Sequence, residues 1–386
     1  MQIAVFETVH FEGAYPVIKL FDNGKNQITI FTYENSYRQF QYLFKDTISN
    51  YTWVVKEPTE SKIQFIRRMY NHSSNNKFDI LYLNTISDNH IFYAVMILFL
   101  KRTRVILTLH DINSHFSFPS GSGFRGWVRY IGKRALIKVV NEFNVVASTM
   151  VAYLKSRVHR HKKVHNVPGS IYEEDKRSKS KQILNSIKTV IPGTVDNRRR
   201  DYHLAFNLLQ EIDRKNLPIS IVLLGGMSEY GKDIFEKCRQ YVSKTSNLTF
   251  FQTDTVDQPI FDREMDDCHF IWVPSVVNTV LSDGIPETYG LSKSSGTLFD
   301  VIKHAKPFIV PKELSVPTEL ESSCFKYESK DQIVPFLQSF LASPEKYAAW
   351  AGKAVENSRF YTIENIRNNN PSLFSQITLL DNLRSL

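Results

Sequence analysis

The sequence predicts an α/β fold of two Rossmann-like, doubly wound domains facing a cleft. Three observations lead to it. Short β-branched or aromatic runs alternate with longer helical stretches, the pattern of parallel strands joined by crossover helices. The alternation lapses in a polar stretch from Val167-Pro168-Gly169 to about Lys188, rich in Glu, Asp, Lys and Ser, and then restarts. The chain has 386 residues, 42% of them hydrophobic. At roughly 150 residues per domain, that is enough for two cores.

In the first half, strands are expected at 2–7, 27–31, 51–55, 80–84, 105–110 and 144–147, with helices near 35–46, 59–73, 88–100 and 124–142. In the second, strands are expected at 189–192, 219–224, 248–252, 269–273 and 307–310, with helices at 200–214, 230–244, 258–267, 297–304, 330–341 and 344–357. From 361 the chain reads as helical apart from a polar break at 368–371. The expected division is an acceptor-binding domain over 1–167, a linker over 168–187, a ligand-binding domain over 188–360, and a C-terminal segment over 361–386 placed to cross back to the first domain. No repeat of 20–50 residues is visible, which argues against a solenoid.

Composition narrows the class. Lys and Arg outnumber Asp and Glu by 48 to 39, a formal charge of +9 that suits nucleic acid, an anionic membrane surface or a phosphorylated small ligand. With no zinc-finger spacing and no RNP-like run, no nucleic-acid partner is expected. Cys238, Cys268 and Cys324 lie at no metal-ligand spacing and read as structural thiols in a reducing compartment. The N-terminus enters a strand-like segment without a basic leader, and the longest apolar run, 91–100, is far short of the ~20 residues that span a bilayer. A cytoplasmic protein is expected, soluble or peripheral to the membrane. Over 124–138, Phe124, Trp127, Val128, Ile131, Ala135 and Leu136 recur at helical spacing with Arg125, Arg129, Lys133 and Arg134 between them. Such a helix either lies in an anionic headgroup layer or turns its apolar stripe to the core and its basic back to water.

Five segments carry candidate chemistry. Over 284–300, Lys293, Ser294, Ser295, Gly296 and Thr297 gather where a helix begins, so free amides, small side chains and one cation converge on a potential phosphate site; an ordinary N-cap with a glycine turn is the alternative. Over 192–202, a glycine turn leads into Arg198, Arg199 and Arg200, whose guanidinium forks suit a phosphate. Gly225 ends the next strand, where a missing side chain lets a ligand, or a tight turn, approach the backbone. In the first half, His110 and Asp111 end a strand, and His10, Glu12 and Gly13 lie in a loop after the first strand; both would open onto the cleft, with His110 or Asp111 as a general base or an orienting group. Asp266-Asp267 reads as a helix end, and no metal site is expected.

In order and spacing, these segments resemble GT-B-type, nucleotide-sugar-dependent glycosyltransferases of bacterial surface polysaccharide biosynthesis. The likeness spans nearly the whole chain: Thr108-Leu109-His110-Asp111, Val146-Ala147-Ser148, Asn166-Val167-Pro168-Gly169, Gly193 to Arg200, Val222-Leu223-Leu224-Gly225, Trp272-Val273-Pro274-Ser275 and Ala305-Lys306-Pro307-Phe308-Ile309. The family places two glutamates eight positions apart before the last of these. Glu287 matches the first, which contacts the donor sugar, but eight residues on stands Ser295; a loop longer by about five residues, 291–295, would bring Asp300 into the ribose role. Thr194 and Arg199 likewise replace the usual arginine and lysine, leaving Arg199 or Arg200 to neutralise the diphosphate.

The resemblance implies a retaining glycosyltransferase that needs neither metal nor cofactor, moving a sugar from a nucleoside diphosphate sugar onto a saccharide or lipid-linked acceptor. Two alternatives remain open: a nucleotide-sugar 2-epimerase of the same fold, and a non-catalytic scaffold or regulatory subunit that has lost turnover.

Overall fold

The computed structural model describes residues 1–118, 123–174, 185–242, 247–280 and 284–375. The C-terminal end of the expected helical segment, 376–386, and half of the expected linker, 175–184, lie outside them. The first half runs β1 (Gln2–Phe6), α1 (Phe11–Phe21), β2 (Gln27–Thr32), α2 (Glu34–Phe44), β3 (Thr52–Val55), α3 (Lys62–Asn76), β4 (Ile80–Leu83), α4 (His90–Phe99), β5 (Arg104–Thr108), α5 (Asn113–Phe116), α6 (Phe124–Val139), β6 (Glu142–Asn144), α7 (Val151–Arg157) and β7 (Lys163–His165). The second runs β8 (Ile187–Pro192), α8 (Tyr202–Arg214), β9 (Ile219–Leu224), α9 (Lys232–Val242), β10 (Leu248–Phe250), α10 (Gln258–Asp267), β11 (Phe270–Trp272), β12 (Asn278–Val280), β13 (Pro286–Thr288), α11 (Gly296–His304), β14 (Phe308–Pro311) and β15 (Cys324–Tyr327), closing with α12 (Ile333–Leu341), α13 (Pro344–Arg359) and α14 (Ile363–Asn369).

Among the described residues, the strands form a seven-stranded sheet in the order β3-β2-β1-β4-β5-β6-β7 and a six-stranded sheet in the order β10-β9-β8-β11-β14-β15. The pairings in both are parallel. Parallel strands are covered on both faces, which is why Ile80–Leu83 and Phe308–Pro311 are buried throughout instead of alternating. In each sheet the order reverses beside the first strand, between β1 and β4 and between β8 and β11, and ligands of such folds lie outside the carboxyl ends of the strands at that point. The C-terminal segment does cross back. Arg367 on α14 donates to the carbonyls of Leu20 (3.0 Å) and Asp22 (2.8 Å) at the end of α1, and the Phe374 ring packs 5.1 Å from Phe21.

Three local expectations are corrected. The stretch holding His10, Glu12 and Gly13 is not a loop: His10 caps α1, and its carbonyl accepts from Gly13 and Ala14, so Glu12 and Gly13 form the first helical turn. Gly13 and Pro16 are poor helix formers. An interior proline costs about 3 kcal/mol, but burying Ala14, Val17, Ile18, Leu20 and Phe21, at roughly 1.5–3 kcal/mol for each larger side chain, outweighs it. The strand expected at 144–147 is β6, two residues earlier. Glu142 tolerates the sheet because Arg104 on β5 grips it bidentately and His165 on β7 lies 2.8 Å away. Third, the expected long loop after β11 contains the antiparallel β12–β13 hairpin, which sets Glu287 opposite Thr279.

Candidate functional site

The carboxyl ends of β1, β4 and β5 face those of β8 and β11 across the cleft. On the first side, Glu7 directly follows β1 and is fully buried. One of its carboxylate oxygens accepts the consecutive amides of Thr8 (2.7 Å), Val9 (2.5 Å) and His10 (2.7 Å), and the other accepts Asn84 Nδ2 at 2.7 Å. Three adjacent amides of this kind make an anion-binding nest, and here the chain fills it with its own side chain. Sequence reading missed Glu7, although a lone carboxylate directly behind an apolar strand was its signal.

His10 and His110 approach with ring centres 5.4 Å apart. His110 Nε2 lies 3.0 Å from the Asn84 carbonyl and 3.2 Å from Thr85 Oγ1. A carbonyl only accepts, so Nε2 carries the proton and Nδ1 keeps its lone pair. Burial, reinforced by His10, pushes the imidazole down to about 4, so it is neutral at physiological pH and offers Nδ1 as a hydrogen-bond acceptor.

Asp111 and Lys293 do not stand free. They pair with each other across the cleft, and the backbone beside them makes a short ladder: Ile112 N–H donates to Ser292 O (2.7 Å) and Ser294 N–H to His110 O (3.2 Å). Burial opposes the Asp111 charge, but the ammonium outweighs it and holds the carboxyl below its usual range. Beneath this latch lies Glu287, 5% exposed. It accepts the Ser114 amide at 2.9 Å and the Ser292 hydroxyl, and burial raises its carboxyl to about 7. The side chain is therefore enclosed between the two halves. Asn113 completes the contact, donating to Pro286 O at 2.9 Å.

On the second side, the arginine run precedes α8 and does not begin it; Asp201 is the helix N-cap, accepting from Leu204 N at 3.0 Å. Asp196 takes Arg198 at 2.7 Å and lies 3.5 Å from the more exposed Arg199. Arg200 turns the other way. Its guanidinium donates to Pro192 O (2.6 Å), Thr194 O (3.0 Å) and Thr297 Oγ1 (3.2 Å), none of them a carboxylate. Gly193, at φ +91°, leaves room for it: a Cβ there would meet the guanidinium at 2.5 Å. The Gly225 position is filled by the fold itself, since a Cβ would lie 2.0 Å from Gly193 O.

Arg200 reaches the first turn of α11. Ser295 caps this helix without a side-chain bond, and the amides of Gly296 and Thr297 are among those a helix leaves unpaired. Around Gly296 there is open space, with nothing within 4 Å of an added Cβ. One turn on, Asp300 lies in the field of Lys303, Glu12 and Arg200, and burial raises its carboxyl to about 7. Glu12, exposed on the first turn of α1, lies close enough to push the Asp300 carboxyl up further. Lys303, a second residue unforeseen in the sequence, pairs with Asp262 at 2.8 Å.

No protein-family profile matches the chain, and no curated protein matches its sequence. Solved structures match along its full length. Anabaena HepE in complex with UDP and glucose superposes with a TM-score of 0.64 at 12% identity, covering 100% of both chains. The fold is GT-B. The Neisseria meningitidis UDP-GlcNAc 2-epimerase bound to UDP-GlcNAc matches the GT-B frame at 0.59 and 13% identity, over 99% of this chain and 100% of that one. The lipopolysaccharide outer core galactosyltransferase WaaB matches at 0.58 and 11%, over 97% and 100%. At such identities the likeness carries the GT-B architecture and leaves the reaction to the site's chemistry.

Proposed function

We propose that this chain is a retaining glycosyltransferase that moves a sugar from a nucleoside diphosphate sugar to a saccharide or lipid-linked acceptor. The observation that carries the reading is Arg200 donating to Thr297 at the start of α11. A permanent cation, two first-turn amides and an open volume at Gly296 meet at one point, where the helix dipole adds to the field. A diphosphate bound there gains most stabilisation as it departs and its charge grows, which makes the site a leaving-group site. Asp300 faces the ribose. The acceptor hydroxyl approaches from the first half, where the unprotonated Nδ1 of His110 can orient it by accepting its hydrogen bond. As the C–O bond to the acceptor forms and the bond to the diphosphate breaks, the departing diphosphate oxygen takes the hydroxyl proton on the face it leaves, which retains the configuration. No step in this scheme requires a metal.

A 2-epimerase is the second reading, favoured by the raised carboxyl of Asp300 with the charges of Glu12 and His10 close by. Against it, Asp111 is paired with Lys293, and Glu287 is enclosed by Ser114 and Ser292, leaving neither free for proton transfer at a sugar. The two readings separate in one assay. The purified chain is incubated with a panel of nucleoside diphosphate sugars, with and without saccharide acceptors, and the products are resolved by NMR. Acceptor-dependent release of nucleoside diphosphate supports transfer; a 2-epimer without release supports epimerisation; tight nucleotide binding with neither product supports a scaffold.

A further inference from the structure

Helix α6 does not present the face that a core-seeking amphipathic helix would. Phe124 is 77% exposed and Trp127 50%, with Val128 and Ile131 also open to solvent, whereas Lys133 is buried and donates to Ser114 Oγ. The stripe expected to choose between core and lipid therefore faces outward over its first two turns. On α4, Phe92, Val95, Leu98 and Phe99 are exposed as well, so these two helices carry eight of the sixteen large hydrophobic side chains exposed among the described residues. Patches of this kind on a folded protein mark a binding surface.

The position of the two helices gives the patch its direction. Gly132 allows close packing: a Cβ there would lie 2.9 Å from the backbone of Ile91 and 3.0 Å from His90 Cβ, at the very start of α4. Both helices are crossovers of one parallel sheet and run the same way, so residues 124–131 of α6 project past the start of α4, toward the cleft end of the sheet. Charge supplies the rest. Exposed Arg125, Arg129, Arg134 and Lys138 on α6, with Lys101 and Arg102 after α4, flank the apolar side chains. From 89 to 141 the sequence contains one carboxylate, Asp111, and Lys293 neutralises it.

We propose that the α4–α6 face docks on an anionic lipid bilayer, with Phe124 and Trp127 inserted at the headgroup level and the arginines on lipid phosphates. A protein partner would need an acidic complement for this rim, whereas an anionic membrane offers negative charge and an apolar interior together. The orientation sets the cleft mouth, with His10 and His110, against the bilayer. This docking stands independently of which reaction the cleft performs.

The test is vesicle co-sedimentation of the full chain at low salt. Vesicles of phosphatidylcholine are compared with vesicles of equal parts phosphatidylcholine and phosphatidylglycerol. Binding to the mixed vesicles alone is expected, falling about tenfold or more in Phe124→Ala/Trp127→Ala, in Leu98→Ala/Phe99→Ala and in Arg125→Gln/Arg129→Gln. All six side chains are solvent-exposed, so unchanged thermal midpoints show that the variants fold. Brominated lipids should quench tryptophan emission in the wild type and not in Trp127→Phe. Failure to bind the mixed vesicles overturns the proposal, as does binding unchanged by the apolar substitutions. Self-association that is abolished by Phe124→Ala/Trp127→Ala, without vesicle binding, overturns it in favour of a second copy of the chain.

Discussion

The Ser114 amide donates to Glu287 across the boundary between the two sheets, at 2.9 Å. The carboxylate is held in a closed space between the halves, so its protonation is coupled to their contact. A carboxyl raised from 4.5 to about 7 leaves the folded chain holding more protons than the unfolded chain between those values. Its contribution, relative to a neutral amide, is full below 4.5 and is lost as pH rises through 7. The Glu287→Gln variant keeps the acceptor for Ser114 and cannot ionise. Its stability relative to the wild type should rise by on the order of 2 kcal/mol between pH 4.5 and pH 8. Denaturant melts of both proteins at a series of pH values check this; parallel curves would refute it.

Arg200 and Arg199 predict different outcomes from the same substitution. Removing the Arg200 guanidinium takes away a charge-assisted donor worth about 1.5–3 kcal/mol at the α11 start, so affinity for a nucleoside diphosphate should fall roughly 10- to 100-fold in Arg200→Ala. Arg199 is 44% exposed and faces Asp196, so Arg199→Ala should cost less than about 1 kcal/mol of affinity. Titration calorimetry distinguishes them, and an equal loss in both would place the anion elsewhere.

Asp300 predicts the pH dependence of that binding. Its carboxyl titrates near 7 beside the proposed diphosphate position, so an arriving anion disfavours its charged form and proton uptake accompanies binding. Affinity should increase as pH falls from 8 to 6, with less of that trend in Asp300→Asn. Calorimetry in buffers of different ionisation enthalpy measures the proton uptake directly.

Gly225 sits against the backbone of the β8–α8 connection, with Gly193 O where its Cβ would be. Gly225→Ala therefore forces two backbone segments apart and should cost about 2 kcal/mol or more. Gly296→Ala meets nothing within 4 Å and should leave the thermal midpoint nearly unchanged. A large effect at Gly296 with none at Gly225 would contradict this packing.

The Asp111–Lys293 pair predicts a local change in dynamics. Lys293→Met leaves Asp111 without its cation, and the ladder beside it loses about 1 kcal/mol of support. Amide exchange should accelerate at Ile112 and Ser294, whose N–H groups bridge the halves, and remain unchanged at β8. Mass-detected hydrogen exchange resolves the two regions.

The alternating apolar runs made the parallel sheets legible in the sequence, because a strand buried on both faces, such as Ile80–Leu83, has no other use for its composition. Elements that depend on distant partners were not legible. β7 and β15 are short, with Lys163 and Lys326 inside them, and sheet pairing with β6 and β14 defines them more than propensity does. The cleft end of each strand could be foreseen, which is why Arg200, Thr297, Asp300 and His110 all lie along it. What a local reading cannot supply is which of these residues the opposite half occupies: Lys293 is consumed by Asp111, and Glu287 by Ser114, in contacts spanning 182 and 173 residues of sequence.

The Tyr172 amide donates to the Tyr361 carbonyl at 2.9 Å, so at these two residues the outward and return chains are bonded to each other. Two adjacent strings act as a spine: they oppose sliding and leave rotation about their shared line as the easy movement. A cleft that opens would then follow a single angular coordinate, with the Asp111–Lys293 pair as the clasp on the edge away from the spine.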